Sequence, residues 1–286
     1  MIDPLSEVIE QQRPQSRRRL PIGVFDSGLG GLTVVKQLCK QLPSESILYF
    51  GDTARVPYGT KSVETVQRFA LQIARFLERQ GVKLIVVACN TASSVAIEYL
   101  RQRIQLPVVG VIEPGVRAAL RVSEKGRIGV IGTTATISAG RYDDLLKSSR
   151  ADVVVESAAC PLFVSLVEEG WIDTPVTEMV AREYLQPLVA AGIDTLILGC
   201  THYPLIKKVI RRVIGEDIRI VDTAIETALL VDRILVSSDL KCRHDCSPEH
   251  SFYVSDFPQK FEQTARLFLG DDLPNVKRIE LNHPEE

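Results

Sequence analysis

The chain has 286 residues, 45% hydrophobic and 24% charged, enough to bury a sizeable core and to form two domains of ordinary size. A net charge of −2 without a basic stripe favours no polyanion and gives no basis for nucleic-acid binding. No apolar run approaches the roughly 20 residues that span a bilayer, and Met1 to Leu20 carries Gln, Pro and Arg17-Arg18-Arg19 where a signal peptide would be apolar, so residues 1–20 are expected to form a disordered extension of a cytoplasmic protein.

Ile22 to Phe25 is a first strand, ending in Asp26-Ser27-Gly28-Leu29-Gly30-Gly31 before a helix from Leu32 to Gln41. The glycines fail as a dinucleotide fingerprint, because the third falls where the chain has Thr33. What remains is a tight turn whose backbone N–H groups suit a carboxylate, with Asp26 at the strand end either as a functional group or as a helix cap. A strand from Ser46 to Phe50 leads into Gly51-Asp52-Thr53-Ala54-Arg55-Val56-Pro57-Tyr58-Gly59, a connector polar and long enough to line a site. The helix Ser62 to Gln80 follows, with Val63, Val66, Phe69, Ile73, Phe76 and Leu77 on one face.

Leu84-Ile85-Val86-Val87 then runs without alternation into Ala88-Cys89-Asn90-Thr91-Ala92-Ser93. Such a run suits a strand covered on both faces, as in parallel sheets, and ligands there bind beyond the carboxyl ends. A helix is expected from Val95 to Arg103, its start favouring thiolate at Cys89. An isolated cysteine of this kind is more simply a small core residue. A second copy argues otherwise: Thr195-Leu196-Ile197-Leu198-Gly199-Cys200-Thr201-His202 repeats the design 111 residues on, with a helix from about Leu205 to Val213. Arg127-Ile128-Gly129-Val130-Ile131-Gly132-Thr133 likewise repeats the first strand at an offset of 106 residues, with hydroxyls where the first copy has Asp26.

Between the copies lie a strand from Leu106 to Val111, a crossing at Glu113-Pro114-Gly115, a helix through Tyr142 to Leu146, a strand Asp152 to Ser157, the helical Val164 to Gly170 and a helix Pro175 to Ala191. A helix Ile225 to Leu235, a strand Phe252 to Ser255 and a helix Phe257 to Phe268 close the chain. The expected architecture is α/β: two pseudo-symmetric three-layer domains with mostly parallel sheets, residues 21–114 plus 226–286 and residues 115–225, with a site between them. Each would supply one thiol to a bound ligand. That suits removal and return of a proton on opposite faces of one carbon. His202 and Asp26 are candidates to orient those protons, and a carboxyl of the Glu168-Glu169 pair could assist His202.

The cysteines Cys39, Cys89, Cys160, Cys200, Cys242 and Cys246 show no compact disulfide spacing, so reduced thiols are expected. Cys242, His244 and Cys246, with His250 nearby, have zinc-ligand types but no second pair at finger-like spacing, and read as a surface loop rather than a metal site.

The segments FDSGLGGLTV, GDTARVPYG, ACNTAS, GTTAT, ACPLFVSLVEEG and LGCTHYPL closely resemble the aspartate/glutamate racemase family, from Phe25 to about Ala224. The resemblance implies Cys89 and Cys200 as acid/base thiols, with Asp26, His202 and Glu169, ahead of Glu168, as their assistants. It implies substrate contacts at Asp26, Ser27, Tyr58, Gly59, Asn90, Thr91, Thr133, Thr136, Thr201 and His202. It further implies glutamate as substrate, no pyridoxal phosphate or metal, a homodimer, and a role in supplying D-glutamate for peptidoglycan. Ser165 stands where the family's pattern has proline. Rival readings are a racemase of aspartate or of broad specificity, a hydrolase with Cys200 as nucleophile and His202 as base, and a two-lobed ligand-binding protein. The hydrolase leaves Cys89 unexplained, and residues two apart at a strand end need not meet.

Overall fold

A computed structural model describes residues 17–242, 247–270 and 276–281. Two parallel sheets organise the chain. The first contains β1 (Ile22–Asp26), β2 (Ile47–Gly51), β3 (Leu84–Val87), β4 (Val108–Gly110), β9 (Ser251–Val254) and β10 (Val276–Arg278), in the order β10-β9-β2-β1-β3-β4. The second contains β5 (Arg127–Gly132), β6 (Val154–Ala159), β7 (Thr195–Gly199) and β8 (Arg219–Asp222), in the order β6-β5-β7-β8. The inner run β2-β1-β3-β4 therefore has the same order as the whole second sheet. The duplication seen in the residues is a duplication of topology.

The central strands β1, β3 and β7 are buried along their whole length, as unalternated aliphatic runs require. Helices cover their faces. Ser62 caps the Val63–Arg79 helix by accepting the Thr65 N–H at 3.3 Å, and the helix buries Val66, Ala70, Ile73, Phe76 and Leu77 against the first sheet. Two helices carry the chain between the sheets: Ile112–Val122 packs on β7 and β8, and Thr223–Ser237 packs on Ile112–Val122 and on Leu32–Gln41.

Several elements differ from the sequence reading. The helix after Cys89 starts at once, at Asn90, and breaks at Ala96 into Asn90–Val95 and Ile97–Arg101. After Cys200 a 3-10 turn, Tyr203–Ile206, precedes the helix Lys207–Ile214, because Pro204 suits the first turn of a helix and not its interior. A short helix Thr134–Ser138 and strand β10 were not legible at all. The expected loose extension falls outside the described residues up to residue 16, but residues beyond it are docked. Arg18 Nε donates to the Asp239 carbonyl at 3.0 Å, and the Arg18 carbonyl accepts from the buried Lys83 ammonium at 2.6 Å. Among the described residues no helix is long and apolar enough to cross a membrane.

Candidate active site

The site is assembled at the carboxyl ends of β1, β3, β5 and β7, where the chain leaves each strand for a helix. β1 ends in Asp26. Its Oδ2 accepts the Gly28 N–H at 3.0 Å, while Oδ1 has no partner among the described residues. Burial raises the Asp26 carboxyl above the ordinary carboxylate value, against the pull of His202 and of the backbone N–H groups in its turn.

Cys89 lies two residues beyond β3 and caps the Asn90–Val95 helix. Its sulfur accepts the Ala92 N–H at 3.5 Å and donates to Ser27 Oγ at 3.6 Å. Burial pushes this thiol up to about 12, the Asp26 charge adds to the rise, and the two hydrogen bonds only oppose it. The expectation that a helix start would favour thiolate here is therefore corrected: a helix of six residues is outweighed by desolvation, and Cys89 is held as the thiol.

Cys200 follows β7 directly and keeps different company. Its sulfur lies 3.8 Å from His202 Nδ1, so these two residues do meet despite their spacing. His202 Nε2 lies 3.1 Å from Glu168 Oε1. Burial by itself would lower His202, but the sulfur and the carboxylate outweigh it and raise the imidazole to about 10. Burial likewise opposes ionisation of Glu168, and the hydrogen bond to His202 holds it below the ordinary value. The carboxylate paired with His202 is thus Glu168 rather than Glu169. Helix phase explains the difference: Pro161, Val164, Ser165 and Glu168 share the cavity-facing side of the Leu162–Glu168 helix, whereas Glu169, at its C-cap, is not part of the lining.

A cavity of about 330 Å³ lies between the sheets and is lined by both thiols together with Ser27, Tyr58, Gly59, Asn90, Thr91, Thr133, Glu168, Thr201 and His202. Asp26 and Thr136, expected to touch a ligand, are 1% exposed and are absent from the lining. Thr136 acts through a neighbour, since its hydroxyl lies 2.9 Å from that of Thr133 and 3.3 Å from that of Thr91. Asn90 Oδ1 accepts from Tyr142 at 2.7 Å, which leaves Nδ2 buried without a partner among the described residues. Among the described residues no lysine or arginine lines the cavity. Sequence reading missed Tyr142, which had no signal, and Val56, Pro161, Val164 and Ser165, which helical spacing and the polar loop could have indicated.

The lobes touch on glycine. A Cβ on Gly30 would fall 2.1 Å from Thr201 Oγ1 and 2.6 Å from the His202 ring, and one on Gly59 would fall 3.3 Å from Thr133 Cβ. Thr33 Oγ1 adds a hydrogen bond to the Thr201 carbonyl at 3.0 Å.

The other cysteines stand apart from the cavity. Cys242 is disulfide-bonded, which corrects the expectation of reduced thiols throughout, while Cys39, Cys89, Cys160 and Cys200 are free. His244 and Cys246 lie outside the described residues. His250 accepts the Ile47 N–H at 3.3 Å and lies 3.8 Å from Cys39. Among the described residues no group of three or more His, Cys, Asp and Glu side chains is placed to hold a metal ion.

Fold and site together define a class: a two-lobed parallel α/β protein with one thiol from each lobe at a shared cavity. The family model described as Asp/Glu/Hydantoin racemase matches residues 22–231, and the chain belongs to that family. It is 52% identical over 265 residues to the glutamate racemase of Geobacter metallireducens, covering 93% of this chain and 98% of that relative. Among solved structures, a glutamate racemase isoform from Bacillus anthracis superposes with a TM-score of 0.89 at 42% identity, covering 92% of this chain and 98% of that one. The glutamate racemase of Francisella tularensis, solved in complex with D-glutamate, gives a TM-score of 0.87 at 41% identity, covering 93% and 99%.

Proposed function

We propose that this chain interconverts L- and D-glutamate without a cofactor, by proton transfers between Cα and the thiols of Cys89 and Cys200, with Asp26, His202 and Glu168 as helpers. One observation carries the reading: a single cavity receives one thiol from each copy of a duplicated strand and helix. Inversion takes a proton from one face of the carbon and returns one to the other, so it needs an acceptor and a donor on opposed sides. The unequal surroundings of the two thiols supply that inequality. Cys89 is held protonated by burial, while the Cys200 sulfur faces an imidazole that the sulfur and Glu168 together hold charged.

The relatives' shared name supports glutamate as substrate, and so does the lining. Asn90 Nδ2 and the threonine hydroxyls are neutral donors suited to carboxylates. Arg55 is engaged elsewhere: its Nε donates to both Asp52 oxygens at 2.9 and 2.7 Å, and its guanidinium lies 4.1 Å from the Phe69 ring centroid. A hydrolase built on Cys200 and His202 would leave Cys89 unused. Supply of D-glutamate for peptidoglycan by a cytoplasmic homodimer belongs to the same proposal.

Incubation with L-glutamate and with L-aspartate in deuterated water, followed by chiral analysis, tests it. The expected result is equal amounts of the two glutamate enantiomers with deuterium at Cα. Absence of Cα exchange would overturn racemisation, and comparable kcat/KM on aspartate would overturn the glutamate assignment.

A further inference from the structure

We propose that Asp52 is a positioning residue that fixes the Tyr58-Gly59 wall of the cavity, and that Ser255, from the C-terminal strand, holds Asp52 in place. The inference rests on the racemase reading above and deepens it.

Asp52 is completely buried, yet its carboxylate is surrounded by three donor side chains, two from its own loop and one from the C-terminal region. Oδ2 accepts from the Tyr58 hydroxyl, both oxygens accept from Arg55, and Oδ1 accepts from Ser255 Oγ at 2.9 Å. Its backbone N–H donates to the Asp26 carbonyl at 3.1 Å, so the same residue ties the wall to the end of β1. A buried carboxylate with a cationic partner and this many hydrogen bonds is a rigid centre, because moving any donor leaves charge unsolvated.

What it holds is the part of the loop that faces the ligand. Tyr58 is 1% exposed, its ring lies 5.8 Å from that of Phe69, and the following Gly59 meets Thr133 of the other lobe. Ser255 enters because β9 pairs in parallel with β2, Gly51 opposite Val254, which sets Asp52 beside Ser255. The Ser255 hydroxyl also accepts the Ala54 N–H at 2.8 Å, and Thr53 exchanges hydrogen bonds with the Asp256 backbone. β9 lies beyond residue 231, outside the span matched by the racemase family model. The C-terminal strand therefore supports the wall through Asp52 without touching the cavity.

A wall that meets the bound substrate away from Cα interacts alike with the ground and transition states, so loosening it raises KM and leaves kcat nearly unchanged. Asp52→Asn, Ser255→Ala and Ser255→Thr, each checked for folding by thermal denaturation, should be assayed with both enantiomers, and their D-glutamate Kd measured by calorimetry. The expected result is a roughly tenfold rise in KM and Kd for Asp52→Asn, a rise of about threefold for Ser255→Ala, recovery in Ser255→Thr, and kcat within about threefold throughout. Folded Asp52→Asn with KM and Kd within twofold of the parent overturns the proposal, as does a fall in kcat larger than the rise in KM. If Asp52→Asn does not fold, the Ser255 pair decides: an unchanged KM in Ser255→Ala, or no recovery in Ser255→Thr, overturns it. Failure of the parent protein to racemise glutamate would count instead against the racemase reading.

Discussion

The two strand ends that carry Cys89 and Cys200 occupy the same place in two copies of one topology, yet their surroundings have diverged. Around Cys89, burial and the charge of a carboxyl keep the sulfur protonated, against the weaker pull of a hydroxyl and a backbone N–H. Around Cys200 an imidazole stands at 3.8 Å, and it is fixed from behind by a carboxylate. Duplication brings one thiol from each copy to a shared cavity, and divergence of their neighbours gives the two sulfurs unequal surroundings. A perfectly symmetric pair would lack that second property.

The comparison breaks most severely when either thiol is removed. Cys89→Ala and Cys200→Ala should each lower racemisation by at least 10³-fold, on the order of the upper range for a lost acid/base group, while keeping a cooperative melt. Turnover near that of the parent in either variant would end the two-thiol scheme.

A smaller effect sharpens it. Asp26→Asn and His202→Asn should lower kcat/KM by roughly 10 to 10³-fold. The loss must be equal in both directions, because enantiomers have equal free energies in water and an equilibrium constant of one ties the two ratios together. The asymmetry should appear instead in Cα deuterium isotope effects, with opposite patterns for L- and D-glutamate in the two variants. Identical patterns would mean that both residues serve one shared step.

The smallest effect concerns stability. His202 binds its proton more tightly folded, at about 10, than at its ordinary 6.5, so its contribution is complete below 6.5 and is lost as pH rises towards 10. Cys89, raised from 9.0 to about 12, adds loss only above 9. Urea midpoints measured from pH 6 to 10 should therefore decline. Glu168→Gln should lower the pH at which this decline is complete, and Glu169→Gln should not; superimposable curves for Glu168→Gln and the parent would remove Glu168 from the imidazole's support.

Most of the frame was legible in the residues because strands buried on both faces write themselves as aliphatic runs, and a repeated run with a repeated cysteine exposes a repeated topology. The residues of the site were legible less evenly. Glu168 and Glu169 are adjacent, and only the phase of the helix, anchored by Phe163 and Val167 in the core, decides which points inward. The state of Cys89 depends on burial summed over many distant groups, and local reading weighed only the helix start. Asp52 and Ser255 are 203 residues apart and meet through strand pairing. No local pattern announces that contact.

The glycine contacts between the lobes bear on how a ligand enters and leaves. At Gly30 and Gly59 side chains of one half, those of Thr201, His202 and Thr133, rest on bare backbone of the other. A single added methyl group at Gly30 would push against these side chains, so the spacing of the halves here is set to within the size of a methyl group. Widening the cleft means parting these two contacts. The spacing of the two halves is thus defined by the absence of atoms.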